Sequence, residues 1–293
     1  MKALFLVNAR SGVKRRHGIE AMIAEGFREL VHEIVACQCK EDLDDLIARA
    51  EAEAFDAVIA VGGDGTVHEA AKRLVGRRIA LGVVPTGSGN GFARHIGLPM
   101  NARASIRACH DARIVTIDTV RVNDTAYVGT MGVGVDAAIA HAFAGAGSRG
   151  LRTYVRVGIR EIRRFEPEEI EIVIDGESIR RRAFLVAVAN SAQYGNNVRI
   201  APLASLQDGL VDVVIVDHVS LLGAAAMIPS LFRGTFHRRK GVTFRQGRHV
   251  EIRRAAAGQA HLDGEPVMLD ASLVIDVVPQ SLRVLLPDGV GAI

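Results

Sequence analysis

The stretch "DAVIAVGGDGTVHEA", Asp56 to Ala70, constrains the fold more than any other part of the chain. An apolar run ends in Gly62–Gly65, where three glycines surround Asp64, and a helix-like pattern follows at once. Glycine accepts positive φ angles and lets a ligand approach the main chain closely. A buried strand that runs through such a corner into a helix is typical of a parallel sheet covered by helices.

Strand and helix patterns alternate along the first third of the chain. This alternation, with short connections, predicts a doubly wound α/β domain with a largely parallel sheet. The predicted strands are Ala3–Val7, Val31–Ala36, Asp56–Val61 and Ile79–Val84, and the predicted helices are Gly18–Leu30, Asp42–Glu53, Val67–Leu74 and Ala102–Ala108.

After Asp111 the pattern changes to strands separated by turns. Asp175-Gly176 stands between two alternating strands, which predicts a hairpin with a primed turn. The stretches "ASLVIDVVP" and "SLRVLLP" predict two further strands. We therefore expect a C-terminal antiparallel β-sandwich over 119–280 after an α/β domain over 1–118, with 281–293 free to return to the first domain.

Composition limits the remaining function classes. The net charge of +3 is too small to indicate a nucleic-acid partner. Three cysteines cannot all pair with one another, which favours a reducing compartment. No run of about eighteen apolar residues occurs, so no membrane-spanning segment is predicted. The expectation is a cytoplasmic protein that can still touch a membrane surface.

The glycine corner has the pattern of an anion site. Thr66-x-x-Glu69 fits a capping box, which predicts that the helix starts at Thr66 with free amides that can bind phosphate. Asp64 would repel a phosphate unless a cation lies between them, and Mg²⁺ carried by a nucleotide supplies one. The alternative is that Asp64 accepts backbone hydrogen bonds in a tight strand–helix turn.

A second corner of the same kind covers Pro85–Gly91. In it Thr86, Ser88 and Asn90 alternate with glycines after a predicted strand and before a helix-like stretch. Ligands of open α/β sheets bind at the carboxyl ends of the strands. Both corners are expected at such ends, on neighbouring strands.

Five motifs in order carry a family resemblance: "NARSG", "GGDGT", "PTGSGNGFAR", "LASLQDGLVDVVIV" and "HLDGEPV". Together they resemble the diacylglycerol kinase and sphingosine kinase superfamily, particularly its small bacterial members, over essentially the full chain. The resemblance implies an α/β domain that binds ATP, a β-rich domain that binds lipid, and an active site between them. It also implies Mg²⁺-dependent phosphorylation of a lipid hydroxyl.

The resemblance also assigns residues to roles. The nucleotide-binding positions it implies are Asn8, Ala9, Arg10, Ser11, Gly12, Gly63, Asp64, Gly65, Thr66, Glu69, Thr86, Ser88 and Asn90. Asp64 and Asp118 would belong to an acidic metal and water network whose third acid is replaced here by Gly91. Asp208, with the carbonyls of Ser205 and Leu210, resembles a structural metal loop. A plain Asp-Gly turn is the alternative for that loop.

Asp263 and Glu265 form a candidate catalytic pair. On a regular strand they would face the same side, and neighbouring carboxylates repel, which can prepare a general base. A hairpin turn with solvated acids is the alternative from spacing alone. The resemblance implies the catalytic interpretation, with both acids jointly acting as base and in orienting the metal.

Arginines spaced three to four residues apart suggest contact with an anionic membrane. In a helix, Arg149, Arg152, Arg156, Arg160 and Arg163 form one positive face beside an apolar face. A basic cluster, "RGTFHRRK", follows the apolar "LLGAAAMIPSLF". The alternative is an ordinary solvated helix face.

Three functions stay in competition at this point. They are a peripheral lipid kinase, a kinase for a soluble substrate such as an NAD kinase, and a catalytically silent nucleotide- or lipid-binding protein. The resemblance also leaves a homodimer open as an alternative to a monomer.

Overall fold

The structure is a computed structural model that describes residues 1–8, 13–37, 42–147, 151–217, 219–291 and 293, with the backbone alone for 13–17 and 151. Ala9–Gly12 and Arg149, which the sequence analysis singled out, lie outside the described residues. The chain divides into two compact units. Unit 1 is Met1–Thr119 with Pro279–Ile293, and unit 2 is Val120–Val278.

Unit 1 contains a parallel sheet. Its strands are β1 (Lys2–Asn8), β2 (Val31–Cys37), β3 (Ala57–Gly62), β4 (Ala80–Pro85) and the end of β15 (Ser272–Leu286), in the order β2-β1-β3-β4-β15. Its helices are α1 (Val13–Gly26), α2 (Asp42–Ala52), α3 (Asp64–Leu74), α4 (Gly91–His95) and α5 (Ala102–His110). The predicted α/β class is confirmed.

The sheet of unit 1 is covered on both faces. Every residue of β3 and β4 is buried, as expected for central strands of a parallel sheet. Alternate residues of β1, including Phe5, pack in one core with Phe27 and with Ile106 of α5. Leu4 and Leu6 are buried on the opposite face. The packed core therefore fixes β3 and β4, and with them the points at which their following loops begin.

The described residues of unit 2 form antiparallel strands, three α-helices and a short 3-10 helix at Phe236–Arg238. The strands are the end of β5 (Arg113–Val122), β6 (Thr125–Tyr127), β7 (Thr130–Gly134), β8 (Glu168–Ile174), β9 (Glu177–Ala189), β10 (Val211–Asp217), β11 (Val242–Gly247), β12 (His249–Arg253), β13 (Gly258–Leu262), β14 (Glu265–Leu269) and the start of β15. The helices are α6 (Val135–Ala144), α7 (Leu151–Arg164) and α8 (Leu221–Arg233). This unit is the predicted antiparallel sandwich.

Strand β9 joins the two layers of the sandwich. Its first half pairs with β8, and its second half pairs with β7 and β10. The β8–β9 hairpin turns at Asp175-Gly176, where φ is 46° and 92°, so the predicted primed turn is confirmed. A core that includes Val188, Ile252 and Leu262 fills the space between the layers.

The prediction of two separate strands near the C-terminus is wrong. "ASLVIDVVP" and "SLRVLLP" form a single strand, β15. Its first residues, Ser272–Asp276, pair with β12, whereas Val284 pairs with Leu81 of β4. Pro279 falls between these two ladders, so its missing amide interrupts neither of them.

The helices of unit 2 cover the outer face of the β7–β9–β10 layer. Ile139 of α6, Val157 of α7 and Met227 of α8 share a core with alternate residues of β9, such as Ala187. Within the part of the chain that the structure describes, no helix combines the length and apolarity needed to span a membrane.

Burial of the tyrosines predicts alkaline unfolding. Burial raises the pKa of Tyr127 and of Tyr194 well above its usual value, and raises that of Tyr154 to about 12. Unfolded tyrosine ionises near pH 10, at about its ordinary pKa, so unfolding is favoured as the pH rises above that value. We expect the absorbance at 295 nm to stay flat near pH 10 in the folded protein and to titrate there in denaturant.

The same titration has an expected order. The Tyr154 side chain is 43% exposed, whereas Tyr127 is fully buried. Tyr154 should therefore ionise first, and Tyr154→Phe should remove the earliest part of the absorbance change. A titration of all three tyrosines near pH 10 in folded protein would contradict this account of the packing of unit 2.

Candidate active site

The first glycine corner departs from its predicted capping pattern. Helix α3 begins at Asp64, and its N-cap is Gly63 rather than Thr66. The amides of Thr66 and Val67 both donate to the Gly63 carbonyl, at 3.0 and 3.1 Å. The predicted capping box is wrong, because Thr66 already lies inside the helix. No side chain of a described residue caps this end of α3.

The Asp64 carboxylate binds the second corner. Its Oδ2 accepts the Asn90 amide at 2.8 Å, and its Oδ1 accepts the Gly91 amide at 2.7 Å. The alternative drawn from the sequence has Asp64 accept backbone hydrogen bonds within its own strand–helix turn, but both of these donors belong to the second corner.

The glycines let the two corners pack backbone to backbone. A Cβ on Gly87 would lie 2.6 Å from the Gly63 Cα and 2.9 Å from the Asn90 Oδ1. A Cβ on Gly89 would lie 2.7 Å from the Asp64 Oδ2. Side chains at these positions would push the loops apart. The loops therefore need bare backbone for their own contact, before any ligand is considered.

Hydrogen bonds hold some of the other polar residues at the two corners. The Asn8 amide group donates to the Thr66 hydroxyl at 3.1 Å, and the Thr86 backbone amide donates to the Gly62 carbonyl at 2.8 Å. Ser88 is exposed.

Asn90 keeps one acceptor unpaired inside the corner. Its side-chain amide donates to the Gly87 carbonyl at 2.9 Å. Its Oδ1 is buried and has no hydrogen-bond partner among the described residues. Asn90 itself has a φ of 54°, a left-handed conformation that asparagine tolerates better than most residues.

Glu69 is held by ion pairs on its own helix. The buried carboxylate lies 2.8 Å from the Lys72 Nζ and 2.5 Å from an Arg73 nitrogen. Arg73 also contacts Asp44 of α2, and its hydrogen bond lowers the pKa of Asp44. Sequence reasoning missed this network, although the i,i+3 and i,i+4 spacings within "EAAKR" predict such pairs.

The other predicted metal ligands lie in separate environments. Asp118 is buried in unit 1, and its Oδ1 accepts the Gln280 amide at 2.8 Å. In unit 2, Asp208 accepts the Leu210 amide at 3.0 Å, and the Ser205 hydroxyl accepts the Gln207 amide at 3.3 Å. The described residues contain no group of three or more His, Cys, Asp or Glu side chains placed to hold a metal.

The predicted strand geometry of the acid pair is wrong. Asp263 and Gly264, with φ of 52° and 83°, form the two-residue turn between β13 and β14. Leu262 pairs directly with Glu265 across this turn. The pair therefore forms the hairpin weighed as an alternative, since Asp-Gly readily adopts the two positive φ angles of such a turn.

Asp263 is nevertheless not a solvated turn residue. Its carboxylate accepts the amides of Gly129 at 2.7 Å, Thr130 at 3.0 Å and Val128 at 3.1 Å. Three N–H donors stabilise the ionised carboxylate and fix its orientation. No hydrogen bond or ion pair engages the Glu265 carboxylate among the described residues, so the two acids have different environments.

A further polar group in unit 2 escaped the sequence analysis. The Asp136 Oδ2 lies 2.9 Å from the Tyr194 hydroxyl and 3.1 Å from the His261 Nε2. The "GVGVD" and "AHLDGE" stretches that bring Asp136 and His261 together are far apart in the chain. No periodicity within either stretch signals the contact.

Gly87→Ala tests the packing of the two corners. The added Cβ would meet the Gly63 backbone at 2.6 Å, which cannot give way like a flexible side chain. We expect a loss of about 1–3 kcal/mol in the free energy of unfolding by urea, as for other overpacked sites. Gly18→Ala is the control, since its Cβ meets nothing within 4 Å. Equal stabilities of the two variants would contradict the packing.

Comparisons with known proteins agree with these motifs. The Diacylglycerol kinase catalytic domain family matches residues 2–122, and the YegS C-terminal NAD kinase beta sandwich-like domain family matches residues 129–286. A diacylglycerol kinase from Mycobacterium tuberculosis (strain ATCC 25618 / H37Rv) is 30% identical over 98% of this chain and 95% of its own length. One from Bacillus subtilis (strain 168) is 27% identical over 90% of this chain and 89% of its own.

A solved structure shares the fold. The crystal structure of a diacylglycerol kinase from Bacillus anthracis str. Sterne has a TM-score of 0.75 at 18% identity, covering 99% of this chain and 98% of that one. With the matches along both units, the chain belongs to the family of the diacylglycerol kinases and YegS-like lipid kinases.

Proposed function

We propose that this protein is a lipid kinase that transfers the γ-phosphate of Mg·ATP to a lipid hydroxyl at a membrane surface. The observation that carries the proposal is the contrast within the acid pair. One carboxylate is fixed by three backbone amides, and the other is unengaged among the described residues. A fixed acid beside an available one suits a reaction that must orient an alcohol and remove its proton.

Glu265 is the proposed base. It accepts the proton of the lipid hydroxyl as the hydroxyl oxygen attacks the γ-phosphorus, and the bond to the ADP oxygen breaks. Asp263 already accepts three backbone hydrogen bonds, which fix its carboxylate within the turn. Its proposed role is to hold the turn that presents Glu265.

The two glycine corners are the proposed site for the phosphates. The first turn of α3 has no side-chain cap among the described residues, so the positive end of its helix dipole suits an anion. Ser88 is exposed on the adjoining loop, where its hydroxyl is available to a nucleotide. Asp64 keeps both loops in register through the Asn90 and Gly91 amides.

The acids of unit 1 fit a magnesium ion that arrives with the nucleotide. Mg²⁺ keeps several waters and takes one or two carboxylates plus phosphate oxygens, rather than an all-protein cage. Asp64 and Asp118 offer carboxylate oxygens of this kind, which also accept backbone hydrogen bonds. When bound, the ion would neutralise charge on the phosphates during transfer.

Helices α7 and α8 are the proposed membrane contact. Leu222 and Phe232 of α8 are 82% and 53% exposed, and Val155 and Ile159 of α7 are also exposed. The exposed basic residues on or next to these helices include Arg152, Arg156, Arg160, Arg163, Arg164, Arg233, Arg238, Arg239 and Lys240. Apolar side chains beside positive charge suit an interface with anionic lipid.

Glu265→Gln tests the catalytic assignment. It keeps the side-chain shape but removes the base, so we expect kcat for ATP-dependent lipid phosphorylation to fall about 100-fold or more. ATP affinity and the free energy of unfolding should stay unchanged. Labelled ATP with diacylglycerol, monoacylglycerol and sphingoid base in mixed micelles provides the assay. Glu177→Gln, at an exposed position on β9, is the matched control.

Asp263→Asn should behave differently from Glu265→Gln. The new amide group would face backbone donors, which costs about 1–3 kcal/mol of unfolding free energy for a donor left unpaired. Activity and stability should therefore fall together in Asp263→Asn.

Three results would argue against the proposed function. Nearly normal kcat in Glu265→Gln would remove Glu265 as the base. Phosphorylation of NAD but of no lipid by the wild type would favour a soluble-substrate kinase. ATP binding without transfer to any acceptor would favour a silent binding protein.

Replacing exposed leucine and phenylalanine on α8 tests the membrane contact. Leu222→Asp and Phe232→Asp each remove apolar contact worth about 1.5–3 kcal/mol per fully buried side chain, and each adds a charge that anionic lipid repels. We expect each to weaken binding to phosphatidylglycerol-containing vesicles about ten-fold or more in sedimentation assays. Val31→Asp, in unit 1 at a residue 65% exposed, is the control. Equal binding by all three variants would exclude α8 from the contact.

A further inference from the structure

Unit 2 contains an open, basic cavity at the start of β8 and the middle of β9. Its volume is about 450 Å³, and it is lined by Pro167, Glu169, Arg180, Arg181 and Arg182. Small-ligand sites usually measure about 300–1,000 Å³. Three guanidinium groups against one carboxylate leave its wall with a formal excess of two positive charges. The cavity therefore combines room for a small group with a charge that attracts anions.

Backbone carbonyls hold two of the arginines in place. The Arg182 Nε donates to the Pro167 carbonyl at 2.9 Å, and the Arg181 Nη1 donates to the Arg180 carbonyl at 3.0 Å. Each bond engages one nitrogen of its guanidinium group, and each group has five N–H donors. The other donors of both groups stay available in the described part of the chain. A ligand would meet arginines that are already positioned, which lowers the cost of ordering them.

The acids nearby leave this positive charge largely uncompensated. Glu171 orients Arg180, whose Nε and Nη2 both lie 3.3 Å from the Glu171 Oε1. Glu169 stands opposite Arg182 in the β8–β9 ladder. Among the described residues no ion pair joins these two, because Arg182 binds the Pro167 carbonyl instead. The walls therefore keep guanidinium groups that no carboxylate neutralises.

Protection of a sheet edge explains only part of this arrangement. Strand β9 pairs with β10 from Ala183 onward and with β7 from Leu185 onward, so within the described ranges Glu177–Arg182 has a strand neighbour on the β8 side alone. Charged side chains on such an edge discourage pairing with another chain. That role requires charge, but it requires neither a cavity nor arginines bound to carbonyls.

The cavity also adjoins the basic end of helix α7. Arg163 and Arg164 form the exposed last turn of this helix. Phe165 follows directly and packs against Phe184 of β9, with ring centroids 5.6 Å apart. Pro167, in the cavity wall, comes two residues later. The cavity is thus tied by chain and by packing to a helix that carries further positive charge.

We propose that this cavity binds a phosphate monoester, either free or as the headgroup of a lipid. A monoester carries about 1.5 to 2 negative charges at neutral pH, which suits the two excess positive charges of the wall. A guanidinium group can donate two parallel hydrogen bonds to phosphate oxygens. The site goes beyond the proposed function, since the glycine corners assigned to the nucleotide belong to unit 1 and this cavity belongs to unit 2.

Arg181→Gln and Arg245→Gln form a matched pair for the test. Arg245 is also an exposed strand residue of unit 2, and its Nη1 donates to the preceding carbonyl, that of Phe244, at 2.9 Å. Of the two arginines, Arg181 alone lines the cavity. Because the glycine corners are also a proposed phosphate site, the measurement must be local. It is the Arg182 Nε–H signal of the ¹⁵N-labelled full-length protein, titrated with glycerol 3-phosphate at low ionic strength.

Glycerol 3-phosphate should shift the Arg182 signal in the wild type and, with the same affinity, in Arg245→Gln. Arg181→Gln should weaken the affinity measured at this signal about ten-fold, as for the loss of a charged hydrogen-bond donor. Arg181→Lys should also weaken it, because it keeps the charge but not the two parallel donors. Equal affinities in the wild type and either Arg181 variant, or an equal loss in Arg245→Gln, would overturn the site.

Vesicles decide where the phosphate group comes from. Phosphatidic acid carries a monoester and phosphatidylglycerol a diester, and each is mixed with phosphatidylcholine to the same surface charge. For a lipid headgroup, the wild type and Arg245→Gln should sediment more with phosphatidic acid, and Arg181→Gln should lose that preference. Equal sedimentation with both lipids, together with Arg181-dependent binding of glycerol 3-phosphate, would identify a free monoester. Binding that depends on Arg181 in neither experiment would overturn the proposal.

Discussion

Carboxylates that bind loop amides organise both units of this protein. In unit 1, Asp64 accepts the Asn90 and Gly91 amides and thereby fixes the second glycine corner against the first. Neither amide belongs to a strand ladder or to the interior of a helix, so each needs a partner of this kind. The carboxylate of Asp64 therefore holds the two loops together.

Unit 2 also contains a carboxylate that accepts backbone amides of a distant loop. Asp263 collects three amides of the 128–130 segment and fixes the β13–β14 turn, while Glu265 beside it stays unengaged among the described residues. A rigid turn that presents an available carboxylate keeps the entropic cost of orienting a base low. His261, two residues before this turn in the same hairpin, is held by its contact with Asp136.

Some of these features were accessible from the sequence, and others were not. The period-2 and period-3.6 patterns predicted the α/β fold of unit 1, and Asp175-Gly176 predicted the β8–β9 hairpin of unit 2. Both features depend on residues that are close together in the chain. The motif order predicted the family. The predictions for the start of α3 and for the conformation of Asp263 were wrong. The amides of Thr66 and Val67 bind the Gly63 carbonyl in place of a capping box, and Asp263 adopts a left-handed φ in place of strand geometry.

Local sequence patterns were enough to predict the strand–helix alternation of unit 1, the positions that require bare backbone, and the acids of the family motifs. What those acids contact depends on residues far away in the chain. The amides that hold Asp263 come from residues 133 to 135 positions away, and His261 is 125 positions from Asp136. Contacts over such separations depend on strand pairing and burial, so no local pattern encodes them.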